Sequence, residues 1–166
     1  MTTHQLGHQP AHQFTHQLAQ VNISRMLEPL DSPLLADFVA ALGPVNALAD
    51  AADGFVWRLQ ESEGYATGFR IFDDEWLLVN LSVWRDAESL DAFVYSPDHR
   101  DVMKRRREWF ARPVEAMVAL WWVPAGHRPT PQEAQERLVL LREKGPTAGA
   151  FTRRESFAPP VAPPAG

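Results

Sequence analysis

The chain has 166 residues, 45% of them hydrophobic, 14 prolines, no cysteine and a formal net charge of -5 at pH 7. That length supports one domain with a proper core and is short for two. The missing thiols exclude disulfides, thiolate metal ligands and a cysteine nucleophile, and the acidic balance argues against a nucleic-acid partner, because phosphate contacts need a basic surface.

The chain starts with no basic residues leading into an apolar stretch, and no apolar run reads as long enough to cross a bilayer. The expectation is a soluble, cytoplasmic protein with no membrane partner. Near the N-terminus, THQLGHQPAHQFTHQLAQ repeats His-Gln at His4, His8, His12 and His16. On an unbroken helix that spacing would align four imidazoles, as a zinc, copper or nickel site requires. Gly7 and Pro10 interrupt such a helix, so residues 1–15 read as a flexible arm with only adventitious metal affinity and no native metal site. One domain is expected over residues 16–157, and the Pro/Ala-rich residues 158–166 read as a disordered, extended tail.

The first strand is expected from Gln17 to Arg25, with Ala19, Val21 and Ile23 on one face and Gln20, Asn22 and Ser24 on the other. Ser32-Pro33 opens a helix whose apolar stripe includes Leu34, Leu35, Phe38, Val39 and Leu42. Gly43-Pro44 should kink or interrupt it, and Asp53-Gly54 should end it. Phe55 to Gln60 reads as a strand, Glu63-Gly64 as a turn, Phe69 to Phe72 as a short extended piece and Asp73-Asp74 as an acidic turn. Trp76 to Trp84 is the clearest strand: Leu77, Val79, Leu81 and Val83 alternate with Leu78, Asn80, Ser82 and Trp84.

Asp86 can cap a second helix, which Ser96-Pro97 kinks or caps again before it continues to about Ala111. The basic run Lys104-Arg105-Arg106-Arg107 on it reads as a solvated face. Val114 to Val123 reads as a very apolar strand. Thr130-Pro131-Gln132-Glu133 is a capping box and Gly145-Pro146 a stop, which places a third helix between them. The order β-α-β-β-α-β with an added C-terminal helix gives an α+β class and a ferredoxin-like arrangement, four antiparallel strands with two helices on one face.

The segments LAQVNISR, VNALAD, GFVWRLQ, LLVNLSVW, FVYSPDHRDVMKRRREWF and LWWVPAGHRPT carry a resemblance to the DUF3291 family across Gln17 to Phe151. This uncharacterised family is related to the dimeric α/β-barrel proteins that include antibiotic-biosynthesis monooxygenases. The resemblance implies a ferredoxin-like protomer whose sheet pairs with a second copy to close a barrel, with a ligand cavity between sheet and helices. It fixes no reaction, since the superfamily spans cofactor-free oxygenases, haem proteins, isomerases and decarboxylases. The haem-degrading branch uses an Asn on the first strand with a Trp and a ligand His on the second helix. Asn22 matches the first, whereas Phe93 and Met103 occupy the other two positions.

The residues also point to a pocket on their own. One sheet face carries Gln20, Asn22, Arg58, Gln60, Asn80, Ser82 and Trp84, and the opposite face is nearly all aliphatic. An unpaired buried polar group costs about 1 to 3 kcal/mol. Either a polar ligand meets this face, or the groups satisfy one another or face water. On the second helix, His99, Val102, Met103, Arg106 and Phe110 share one 3.6-residue stripe. His99 is either a hydrogen-bonded core residue or an acid/base group, while His127 reads as a brace for its turn. Trp57, Trp84, Tyr95, Trp109 and Trp122 could line a flat cavity or a dimer core.

The combined expectation is a small-molecule enzyme with no bound cofactor, acting on a hydrophobic aromatic or polyketide-like compound by oxygenation, cyclisation or isomerisation. Asn22, Asn80 and Ser82 would orient or polarise a carbonyl or enolate oxygen, His99 would move a proton, and Arg58 would hold an anionic oxygen. Met103, Arg106, Tyr95 and the tryptophans Trp57, Trp84, Trp109 and Trp122 would contact the substrate. A haem-binding protein and a non-catalytic ligand-binding homodimer are the alternatives. A homodimer is expected because a sheet covered on one face needs a partner for the other.

Overall fold

In the computed structural model, which describes residues 15–60 and 69–161, four strands form one antiparallel sheet in the order β2-β3-β1-β4. They are β1 (His16–Arg25), β2 (Phe55–Arg58), β3 (Leu77–Trp84) and β4 (Val118–Pro124). This is the ferredoxin-like order. The helices are α1 (Ala36–Ala51), entered through a 3-10 turn at Pro33–Leu35, α2 (Ala87–Val94), α3 (Pro97–Lys104), α4 (Arg106–Trp109) and α5 (Pro131–Lys144). The His-Gln repeat before Thr15, the turn at Glu63-Gly64 and the last five residues lie outside the described residues. Ala158–Val161 is exposed and without regular structure.

Strand alternation sorts the side chains as the sequence requires. Ala19, Val21 and Ile23 join Val79, Leu81 and Val83 and Ala119, Trp121 and Val123 on one face. The added helix α5 lays Ala134, Leu138 and Leu141 on that same face and completes a single buried cluster. Each fully buried leucine there contributes about 1.5–3 kcal/mol of transfer free energy. The aliphatic face expected to need a second copy is therefore covered from within the chain. Helix α5 starts where the capping box placed it, with Thr130 Oγ1 accepting from the Glu133 amide at 3.1 Å, and stops at Gly145, whose φ is +69°.

Helices α1 to α4 cover the other face in two apolar groups. Leu18, Trp84, Leu90, Leu120 and Phe151 pack at one end, and Met26, Leu35, Phe38, Trp109 and Phe110 at the other. Along β1, Asn22 lies between these groups.

Several local expectations change. Gly43-Pro44 does not interrupt α1. The Ala40 carbonyl loses its usual donor there, but Ala40 and Pro44 are both on the exposed side, where water can replace it. Phe69 to Phe72, expected as a short extended piece, joins no strand ladder. It leads into a tight turn in which Phe72 and Asp73 have positive φ and Ile71 bridges to Asp74. The second helix is broken twice, at Tyr95-Ser96 and at Arg105. The fourth strand begins at Val118, since Val114 is 97% exposed and has no ladder to join.

The run Pro33–Ala51, 19 residues, is also long and apolar enough to cross a bilayer by length and composition alone, contrary to the expectation that no run would reach that length. Its apolar residues point both ways because one side faces the sheet while Leu34, Val39 and Leu48 remain exposed. Ion pairs fasten both ends to the domain: Asp37 to Arg105 at 2.9 Å and Asp50 to Arg58 at 2.7 Å.

Candidate functional site

The polar sheet face and three helical segments line an open cavity of about 150 Å³, in which Asn80 is exposed. β1 and β3 contribute Asn22, Ser24, Leu78 and Asn80, β2 contributes Arg58, and α1 contributes Phe38, Leu42, Val45 and Asn46. α3 and α4 add His99, Val102, Met103 and Arg106. Local structure explains the convergence. Asn22 and Asn80 are register partners across the β1/β3 ladder, so their side chains leave the sheet on one side. Ser96-Pro97 starts α3 afresh, and the spacing of His99, Val102 and Met103 then keeps these side chains on one helical stripe, while Arg106 opens α4 just past the break at Arg105.

The carboxamides of Asn22, Asn46 and Asn80 have no hydrogen-bond partner among the described residues, and Asn22 and Asn80 do not bond each other. Their amides are not sealed off either. The sole fully buried polar side-chain atom without a partner among the described residues is Ser32 Oγ. Polar groups in this state are satisfied by water or by a ligand entering the cavity.

His99 is half-buried, and its Nδ1 lies 3.0 Å from the Val94 carbonyl. A carbonyl only accepts, so Nδ1 carries the proton and the Nε2 lone pair is left without a protein partner. Burial pushes the imidazole pKa below its ordinary 6.5, against the pull of the Val94 carbonyl, and the Arg153 charge acts in the same direction as burial. At neutral pH the ring is an uncharged base. Phe93 lies beside it, with ring centroids 5.1 Å apart.

The cavity does not use every residue singled out from sequence. Arg58 lines it, but its guanidinium is bound by both Asp50 oxygens, at 2.7 and 3.2 Å, so its charge is balanced. Ser82 is buried beside it in the sheet, and its hydroxyl accepts the Trp84 Nε1–H at 3.0 Å. Trp84 stacks on Phe93 in the apolar group at one end of the sheet. Trp57 follows the parity of Val83, its ladder partner, and so packs against the aliphatic cluster on the opposite face. Trp109 is enclosed between Phe38 and the Arg105 guanidinium. Trp122 donates to the Phe157 carbonyl at 2.8 Å. Tyr95 is 64% exposed under Arg153. None of these five aromatic residues lines the cavity. His127 pairs with Glu133 at 2.8 Å, at the start of α5, and braces that turn.

Asn46 was not singled out from sequence. Its one signal was a lone amide in the otherwise apolar middle of α1. Among the described residues no group of three or more His, Asp or Glu side chains could hold a metal ion. An apolar cavity of about 150 Å³ admits a benzene ring. The two helix positions at which the haem-degrading branch carries a Trp and a ligand His hold Phe93 and Met103 here, and Met103 lines the cavity, so the residues do not supply that branch's haem ligand.

A family model described as a domain of unknown function (DUF3291) matches residues 17–165. No curated protein matches the sequence. Among solved structures, the chain is similar to SnoaB, a cofactor-independent oxygenase from Streptomyces nogalater, at 16% identity and a TM-score of 0.45 over 68% of this chain and 95% of that one. It is also similar to Rv0793 from Mycobacterium tuberculosis, at 17% identity and a TM-score of 0.44 over 69% and 99%. A conserved protein from Methanosarcina mazei Go1 aligns at 12% identity and a TM-score of 0.48 over 66% and 93%.

Proposed function

The chain belongs to the DUF3291 family, and we propose that it binds a small hydrophobic molecule of single-ring size and moves a proton on it. The observation that carries this reading is the convergence on one cavity of three unpartnered carboxamides and a neutral imidazole with a bare Nε2. An apolar ring fits among Phe38, Leu42, Val45 and Val102. A carbonyl oxygen on it would accept N–H donors from Asn22 and Asn80. His99 Nε2 would take a proton from the carbon next to that carbonyl, and the charge moving onto oxygen would be held by the two amides. Return of the proton to another carbon completes an isomerisation. Cyclisation, or oxygenation by dioxygen, would start from the same enolate without a bound cofactor.

A homodimer stays part of this reading. Its interface would lie away from the aliphatic sheet face, which α5 occupies, and sedimentation equilibrium at micromolar concentration tests it.

Exchange of the α-protons of acetophenone into deuterium oxide, followed by proton NMR, tests the chemistry. The protein should accelerate exchange, and His99→Gln should reduce the acceleration by about 10²- to 10⁴-fold with ligand affinity retained. Equal exchange with both proteins would overturn the proton-transfer role.

A further inference from the structure

Resting on the reading of this cavity as a small-molecule site, we infer that its ligand carries a carboxylate, held by Arg106, on an apolar body of about one ring. Arg106, the first residue of α4, lines the same cavity as His99 and Met103 of α3 and is partly buried. Every other partly buried arginine among the described residues is tied down. Arg58 pairs with Asp50, Arg137 donates to the Gly149 carbonyl at 2.8 Å, Arg142 donates to the Ala116 carbonyl at 2.7 Å, and Arg153 pairs with Asp91 at 2.6 Å. Arg106 has no hydrogen-bond or ion-pair partner among the described residues. Its neighbour Arg105 takes both nearby carboxylates, Asp37 and Glu108.

Charge at the cavity sharpens the point. No Asp or Glu lines it. Asp50 balances Arg58, the three asparagines are neutral, and Arg106 therefore supplies the uncompensated charge among the described lining residues. A guanidinium keeps its proton throughout the working pH range and presents paired N–H donors matched to a carboxylate. A singly charged carboxylate suits this site better than a phosphate, which calls for more than one free cation.

Calorimetric titration with benzoate and with benzamide, its neutral counterpart of similar size, tests the inference on the full-length protein and on Arg106→Gln and Arg106→Lys. Wild type should bind benzoate about 10- to 100-fold more tightly than benzamide, the range expected of a charge-assisted pair. Arg106→Gln should abolish that preference while benzamide affinity persists, and Arg106→Lys should restore part of it. Equal affinity of wild type for the two compounds, a comparison that needs no variant to fold, would overturn the inference and leave the cavity reading standing. An unchanged preference in Arg106→Gln would do the same. Binding of neither compound would overturn both.

Discussion

Asn22 and Asn80 face each other across the β1/β3 ladder, and neither carboxamide bonds the other. Two amides placed side by side on a sheet and left unpaired serve whatever enters the space above them. Asn80→Ala removes a donor aimed at the cavity and no contact that holds the fold. We expect turnover to fall by about 10²-fold while the melting temperature moves by less than about 2–4 °C. Parallel kinetics and calorimetry on Asn22→Ala and Asn80→Ala check this, and a large loss of stability without loss of binding would assign the pair a structural role.

The half-buried, neutral state of His99 sets a pH dependence. Its folded pKa lies below 6.5, so between that lowered value and 6.5 the unfolded chain binds more protons than the folded one. Stability should therefore rise with pH across this window and fall on acidification through it. Turnover should rise over the lowered pKa and be flat above 6.5. His99→Gln should remove this contribution to the stability profile; a pH–stability curve unchanged by the substitution would contradict the assignment.

Much of this arrangement is legible in the chain because two periodicities are clean. LLVNLSVW alternates strictly, which puts Asn80 opposite the aliphatic row, and His99, Met103 and Arg106 keep helical spacing. The aromatic residues were harder to place, since size marks a side chain for burial without saying on which side. Trp57 precedes Arg58 directly, so strand parity sends the two to opposite faces. The pairing of Arg58 with Asp50 depends on how α1 returns into β2, and spacing alone does not reveal it. Asn46 was missed because α1 is apolar on both sides and offers no stripe to read. The coverage of the aliphatic face by α5 needed the three-dimensional path of a helix whose limits were correctly placed.

The ion pairs at the two ends of α1 act as fasteners on the helix that roofs the cavity. The Asp37–Arg105 pair is exposed and worth at most about 1 kcal/mol, whereas the Arg58 guanidinium is mostly buried under Asp50. Asp37→Asn should lower the melting temperature only slightly, and Asp50→Asn, which leaves the Arg58 charge without its carboxylate, should lower it more. Ligand association and dissociation should both speed up, and high salt should have the same effect on the wild-type protein. Stopped-flow binding measures this, and rates insensitive to both changes would show that α1 does not gate entry.

Helix α5 supplies the cover of the aliphatic face, and Leu138 at its centre is fully buried. Leu138→Ala should cost about 2–5 kcal/mol by removing packed methyl groups and leaving a void. Gly54, at φ +81°, sits where a Cβ would run into the Ser89 side chain. Gly54→Ala should also destabilise, through both the strained backbone and that clash. Denaturant titrations check both; a neutral Leu138→Ala would show that α5 is dispensable to the core.

The proposed proton transfer requires the cavity to be a ligand site lined by His99 and the asparagines. Two-dimensional NMR of the protein labelled with nitrogen-15, titrated with acetophenone, reads this directly. The side-chain amides of Asn22, Asn46 and Asn80 and the His99 Nε2 resonance should shift together and saturate at one concentration, while the braced His127 stays unmoved. Absence of saturable change at those four side chains, or shifts centred on a different surface, would contradict a ligand site in this cavity.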